Sequence, residues 1–242
     1  MGLGDLKAAV AEANVALARS GLVVLSFGNV SGVDRGAGVL VIKPSGVPYD
    51  TLRPEDMVVV ALDDGRVVEG SLRPSTDTPT HRLLYRELPG VGGIVHTHSR
   101  EATAWAQAGR AIPCLGTTHA DHFRGSVPVS RPLDAAEIDG DYEWETGRVI
   151  VETLAAAGRS PHDAPAVLVN AHGPFCWGAS PAAAVETAIA LEAVAAMATR
   201  TLLIDAAIGE ISPALLARHF DRKHGPAAYY GQPEATPDGA GS

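Results

Sequence analysis

The chain predicts a single α/β domain built on one central sheet, mostly antiparallel or mixed, covered by α-helices. Three observations predict it. Helix-type and strand-type apolar spacings interleave along the 242 residues, with no internal repeat and no interdomain linker. The first half carries a hairpin signal, Asp63-Asp64-Gly65 between two apolar runs. The second half carries a long Ala/Leu/Glu segment over 181–206 that reads as a helix. The domain is expected over 1–232. The Pro/Gly/Ala/Asp-rich tail 233–242 has the composition of a disordered segment.

The elements follow in order. Leu6, Val10, Ala13 and Leu17 have helical spacing over 5–19, stopped by Ser20-Gly21. Strands are predicted over 22–26 and 38–43, around the turn-rich 28–36, and again over 57–62 and 66–69. Ser75-Thr76-Asp77-Thr78-Pro79 has the cap-then-proline form of a helix start, and that helix ends before Pro89-Gly90. Strand 92–97, a helix over 100–108 and the loop-rich 109–134 come next. A helix at 143–157, a strand at 166–171 and helices over 181–206 and 212–222 complete the chain.

Composition narrows the function. The net charge is −9 with no Lys/Arg run, which makes nucleic acid and anionic membrane poor partners, and neither is expected. The apolar segment 182–208 is interrupted by Glu186, Glu192, Arg200 and Asp205, so no membrane span is expected. Cys114 and Cys176 are far apart and in no CxxC spacing, and no signal pattern opens the chain, so a cytoplasmic protein is expected.

The chemistry is concentrated in histidines. In Gly93-Ile94-Val95-His96-Thr97-His98 the period of a strand puts His96 and His98 on one face, within reach of one ion. The apolar run 166–171 delivers His172 at its end, and Asp77 adds a carboxylate upstream. Three imidazoles and a carboxylate make an N/O ligand set for zinc or a similar divalent metal. Structural zinc sites favour cysteine, and both cysteines are misplaced for one, so the metal is expected to be catalytic. A cupin barrel also uses His-x-His, but the long helical segment argues against it; no Gly-x-Gly-x-x-Gly follows a strand, which leaves a nicotinamide fold unsupported. Phe27-Gly28-Asn29, Lys43-Pro44-Ser45-Gly46 and Ser75-Thr76 follow candidate strands or open a helix. They present backbone N–H groups and hydroxyls suited to a phosphorylated small substrate.

Taken together, Gly28-Asn29-Val30-Ser31, Lys43-Pro44-Ser45-Gly46, Ser75 to His81, His96-Thr97-His98-Ser99, Gly116 to Asp121, Tyr142 to Gly147, Asn170 to Phe175, Lys223-His224-Gly225 and Tyr229-Tyr230-Gly231-Gln232 carry a resemblance. The chain resembles the L-ribulose-5-phosphate 4-epimerase branch of the class II aldolase/adducin-head superfamily, from about Leu6 to Gln232. The resemblance implies zinc bound by Asp77, His96, His98 and His172, one ion per subunit. It implies substrate phosphate held by Gly28, Asn29, Ser45, Gly46, Ser75 and Thr76 with Lys43 close by. Thr76 stands where a second serine is expected, and a hydroxyl remains. It also implies Asp121 and Tyr230 as the acid/base pair, Tyr230 coming from a neighbouring subunit of a four-fold homotetramer whose active sites lie between subunits.

The implied reaction is epimerisation at the fourth carbon of a 2-ketopentose phosphate by retro-aldol cleavage and re-addition. That C–H is not adjacent to the carbonyl, so deprotonating it gives no enolate; breaking the bond between the third and fourth carbons leaves an enediolate that a Lewis acid stabilises. Acid/base groups on opposite sides of the substrate suit attack on both faces of the aldehyde. A sister aldolase that releases its fragments, of the L-fuculose 1-phosphate type, and a non-catalytic assembly module are the alternatives; the intact His/His/His/Asp set argues against the module.

Overall fold

The structure, a computed structural model, describes residues 2–225 and 228; Tyr230, the expected boundary at 232 and the tail lie outside the described residues. Helix α1 (Leu3–Arg19) buries Leu6, Val10, Ala13 and Leu17, the apolar stripe of its sequence. Strands β1 (Asn29–Asp34), β2 (Val39–Ile42), β3 (Val58–Ala61) and β4 (Val67–Glu69) follow as a meander. Then come α2 (Thr78–Glu87), β5 (Gly93–His96), α3 (Arg100–Gln107), the short α4 (Thr117–Ala120) and α5 (Ala135–Asp139), and α6 (Tyr142–Ala156). Strands β6 (Ala166–Leu168) and β7 (Pro174–Gly178) lead into α7 (Pro181–Ile204) and α8 (Pro213–His224). The sheet order is β4-β3-β2-β1-β5-β7-β6 and every ladder is antiparallel.

Alternation along the strands sends side chains to two helical layers. On one face Val30, Val95 and Cys176 pack with α1, α3 and α7, and Val39, Val41 and Val59 pack with Leu6 and Val10 of α1. On the other, Leu40, Ile42, Ile94, Phe175 and Trp177 meet Leu84 and Tyr85 of α2 and Ile150 and Leu154 of α6. Helix α7 is long and apolar enough to cross a membrane. Here Ala184, Ala188, Leu191, Val194, Ala195 and Ala198 are buried in the core instead. Its Glu192 carboxylate accepts from the backbone N–H of Glu101 and Ala102 at 2.9 and 3.0 Å and so caps the start of α3.

Two expectations are corrected. The apolar run 22–26 is not a strand; the strand is β1, in the segment that reads as turns. Its small polar residues are fixed by tertiary packing: a Cβ on Gly32 would lie 2.8 Å from Leu6 Cδ1 and 2.9 Å from Pro181 Cγ. Strand 166–171 ends at Leu168, and β7, which opens on a proline and carries no alternating polar residues, has no counterpart in the sequence reading.

The start of α7 sits directly on β5. Ser180 caps it, accepting from Ala183 N–H at 3.2 Å, and Pro181 takes the first turn. A Cβ on Gly93 would fall 2.4 Å from Pro181 N and Ser180 O, backbone atoms that cannot step aside. Gly93→Ala is therefore expected to lower stability by about 1–3 kcal/mol, the range for overpacking. Urea unfolding measures it, and an unchanged midpoint would show that the helix retreats freely.

Candidate metal centre and substrate cavity

The cross-strand register assembles the site at one end of the sheet. In β5, Ile94 and His96 face the α2 layer; opposite His96 stand Asn29 of β1 and Phe175 of β7. β5 stops at His96, so His96 and His98 do not share one strand as the spacing predicts; His98 lies in the loop before α3. The ladder ends there because its partner strand begins at Pro174, which has no N–H to give. His172 sits not at a strand end but in a tight turn between β6 and β7, where Val169 N–H donates to Gly173 O at 2.9 Å and His172 N–H to Val169 O at 3.0 Å. Ala171, at φ 57°, takes the left-handed conformation there; such strain is held where surrounding structure requires it.

The three imidazoles nevertheless converge, with their candidate ligand atoms all within 4.8 Å of one another. His96 Nδ1 faces Pro174 O at 3.0 Å, and a carbonyl only accepts, so Nδ1 carries the proton and Nε2 presents a lone pair. That lone pair faces His98 Nε2 at 3.1 Å, a separation that calls for a shared proton or cation. His172 is backed by Tyr142, whose hydroxyl lies 3.3 Å from Nδ1. Burial, then the adjacent imidazoles, push the His172 pKa down to about 4, and His98 is lowered for the same reasons; both are neutral near pH 7, as ligands must be. Tetrahedral bonds of 2.0–2.1 Å separate two nitrogen ligands by roughly 3.4 Å, so this donor set fits a divalent metal with small adjustment.

Asp77 is outside this group of three but lines the same cavity. It belongs to a ladder between β1 and α2. Asn29 and Ser31, two apart on one strand face, meet Asp77, His81 and Tyr85, four apart on one helix face. Asn29 Nδ2 donates to Asp77 Oδ2 at 2.6 Å and to Ser75 Oγ at 3.0 Å. Ser31 Oγ lies 2.7 Å from His81 Nδ1 and 2.8 Å from Tyr85 OH. The helix therefore cannot slide along the strand, and Asp77 is held beside His96.

Every loop residue expected to hold phosphate lines this cavity of about 420 Å³: Gly28, Asn29, Lys43, Ser45, Gly46, Ser75 and Thr76. Two of the loops pair with each other, Ser45 N–H donating to Arg73 O at 2.9 Å and Ser75 N–H to Lys43 O at 3.0 Å. Lys43 is buried, donates to Pro44 O at 3.3 Å and rests 4.7 Å above the Tyr49 ring. Among the described residues no carboxylate pairs with it. Burial lowers its pKa to about 8. A buried ammonium beside hydroxyls and loop N–H groups is a site for an anion.

The sequence reading assigned no role to Thr80, Tyr142, Glu143 and Thr146, which also line the cavity. Thr80 Oγ1 donates to Glu143 O, tying α2 to α6. The signal was the helical spacing of Tyr142 and Thr146 together with Asp77 and Thr80.

Asp121 is not brought to the cavity. Arg124 N–H donates to Asp163 O, before β6, whereas Ser130 N–H donates to Leu168 O, at its end. Asp121, three residues ahead of Arg124, thus lies near the start of β6 and His172 beyond its end. The Asp121 carboxylate is gripped by α8: His219 Nδ1 lies 3.0 Å from Oδ1, and Arg222 donates at 3.0 Å to Oδ1 and 2.7 Å to Oδ2. Burial works to raise its pKa, but these contacts together win and hold it below the usual carboxylate range.

Comparison with known proteins agrees with this geometry. Residues 8–199 match the family described as Class II Aldolase and Adducin N-terminal domain. The chain is 53% identical over 227 residues to the L-ribulose-5-phosphate 4-epimerase UlaF of Salmonella paratyphi C (strain RKS4594), covering 94% of this chain and 98% of that one. Among solved structures, an L-fuculose 1-phosphate aldolase superposes with a TM-score of 0.74 at 21% identity, over 89% of this chain and 94% of that chain. The L-fuculose-1-phosphate aldolase from Thermus thermophilus gives 0.66 at 25% identity, over 86% and 100%.

Proposed function

The chain belongs to the class II aldolase and adducin N-terminal domain family, and on that premise we propose that it interconverts L-ribulose 5-phosphate and D-xylulose 5-phosphate by inversion at C4. The observation that carries the reading is one cavity joining three convergent imidazoles to a set of phosphate-type loops around a buried lysine; the epimerase name of a relative 53% identical supports the choice of substrate. A divalent metal, zinc by ligand type, would be held by His96, His98 and His172 with Asp77 beside them, and would supply Lewis-acid stabilisation of the negative charge that cleavage leaves on oxygen.

The chain's own groups do the rest. Lys43, Ser45, Ser75, Thr76 and the N–H groups around Gly28 and Gly46 grip the phosphate. The C4 carbon can then present either face while its tether stays bound. A base takes the C4 hydroxyl proton, the C3–C4 bond breaks, and re-addition to the other aldehyde face closes the cycle. Asp121 and Tyr230 are our acid/base pair. Asp121 does not line its own chain's cavity, and we assign it to the cavity of a neighbouring subunit. That head-to-tail contact closes as a ring, and we propose the four-fold homotetramer. Two buried, unpaired cysteines support a cytoplasmic location.

Purified, zinc-loaded protein mixed with L-ribulose 5-phosphate and followed by NMR tests this. D-Xylulose 5-phosphate should appear, vanish with chelator and return with zinc. No conversion by folded, metal-replete protein would pass the assignment to an aldolase acting on another sugar phosphate.

Lys43→Met is expected to raise KM by about 10–100-fold with little change in kcat, the loss of one charged hydrogen bond to a group bound alike in ground and transition states. The Lys43 pKa is lowered to about 8, so the ammonium is present below that pH and lost above it. KM should be flat below pH 8 and climb beyond it, with the climb absent in the variant. Steady-state kinetics across pH 6.5–9.5 reads both, and a KM independent of pH in the parent would exclude Lys43 as the anchor.

A further inference from the structure

The turn leading into the site carries three exposed apolar side chains: Val24 at 51%, Leu25 at 80% and Phe27 at 53% of full exposure. It is a built turn. Phe27 N–H donates to Val24 O at 3.1 Å, and Leu25 is held at φ 56°, a region branched side chains rarely occupy. Its base is clamped, because the buried Tyr49 hydroxyl donates to both Phe27 O at 3.1 Å and Gly28 O at 2.7 Å. Gly28, at φ 84°, turns the chain inward where a Cβ would lie 2.7 Å from His96 O. Of the three apolar residues only Phe27 lines the cavity, and its ring centroid stands 6.3 Å from that of His98. Nothing in phosphate binding or acid/base chemistry requires a phenyl ring at that place.

We propose that Phe27 is a specificity-determining residue that closes the cavity mouth beside His98 and retains the aldehyde fragment between cleavage and re-addition. The proposal rests on the epimerase reading above. When the C4 hydroxyl loses its proton, the oxygen electrons form the aldehyde C=O and the C3–C4 pair passes into the enediolate over C2 and C3. The two fragments are the enediolate of dihydroxyacetone and glycolaldehyde phosphate. An epimerase must recombine them; an open cavity lets the aldehyde leave, and the enediolate then takes a proton on carbon from water as dihydroxyacetone. An apolar ring at the mouth slows that loss and excludes the proton source.

The test compares the parent with Phe27→Ala and Phe27→Tyr on L-ribulose 5-phosphate, with NMR counting glycolaldehyde phosphate and dihydroxyacetone against D-xylulose 5-phosphate. Phe27 is half exposed, so both variants should keep their circular dichroism and metal content. Released fragments per epimerisation should rise at least about tenfold in Phe27→Ala, the scale of one lost apolar contact in discrimination, and return towards the parent ratio in Phe27→Tyr. An unchanged ratio in a folded, metal-replete Phe27→Ala overturns the proposal. No conversion by the parent itself removes the epimerase premise and the proposal with it, and is read on the parent alone.

Discussion

His98→Ala should leave a folded protein that has lost most of its bound metal and at least about a thousandfold in kcat/KM, since Lewis-acid stabilisation is worth several kcal/mol and each 1.36 kcal/mol is tenfold. His98 is the candidate ligand to remove. It is exposed and lies past the end of β5, so its loss opens no cavity in the core. His96, by contrast, is buried and stacks on Phe175 with ring centroids 4.2 Å apart, so truncating it would mix packing loss with ligand loss. Elemental analysis after gel filtration gives the metal content, and thermal unfolding of the metal-free forms should coincide with the parent. Unchanged metal stoichiometry with unchanged activity would exclude His98 as a ligand.

The fold was legible where side-chain period and burial agree. Helices α1 and α7, the β3–β4 hairpin and the apolar part of β5 follow from spacing alone. It was illegible where the site overrides propensity. β1 looks like turns because Asn29 and Ser31 are there to hold Asp77, His81 and Tyr85, and Gly32 to admit α1 and α7. The reverse error, a strand at 22–26, comes from an apolar run that divides between core and surface: Leu22 and Val23 pack in the core while Val24 and Leu25 are exposed in a turn. The convergence of the three histidines was legible and their backbone settings were not. His98 and His172 reach the site from a loop and a turn, geometries set by Pro174 and by left-handed Ala171. Asp121 could not be located from sequence, because nothing in the intervening residues says at which end of β6 it lies.

That last separation carries the second prediction. Asp121→Asn keeps the size of the side chain, removes the ionised carboxylate and one of the two oxygens that accept from α8, and should lower kcat by about 10²–10⁴-fold with metal content intact. The decisive measurement mixes it with His98→Ala. Each homomer is expected to be nearly inactive. In a ring whose cavities take histidines from one chain and Asp121 from the next, a hybrid contains some boundaries where intact histidines of the Asp121→Asn chain meet an intact Asp121 of the His98→Ala chain. Random assembly from equal amounts makes that boundary half times half of the time, so co-expressed hybrids should recover about a quarter of parental activity. Were the pair to act within one chain, every site in every hybrid would lack one group and mixing would restore nothing. Recovery would also require that the active species is an oligomer with sites between subunits, since co-expression of monomers cannot complement. The setting of Asp121 favours recovery: its carboxylate is gripped by α8 and does not line the cavity of its own chain.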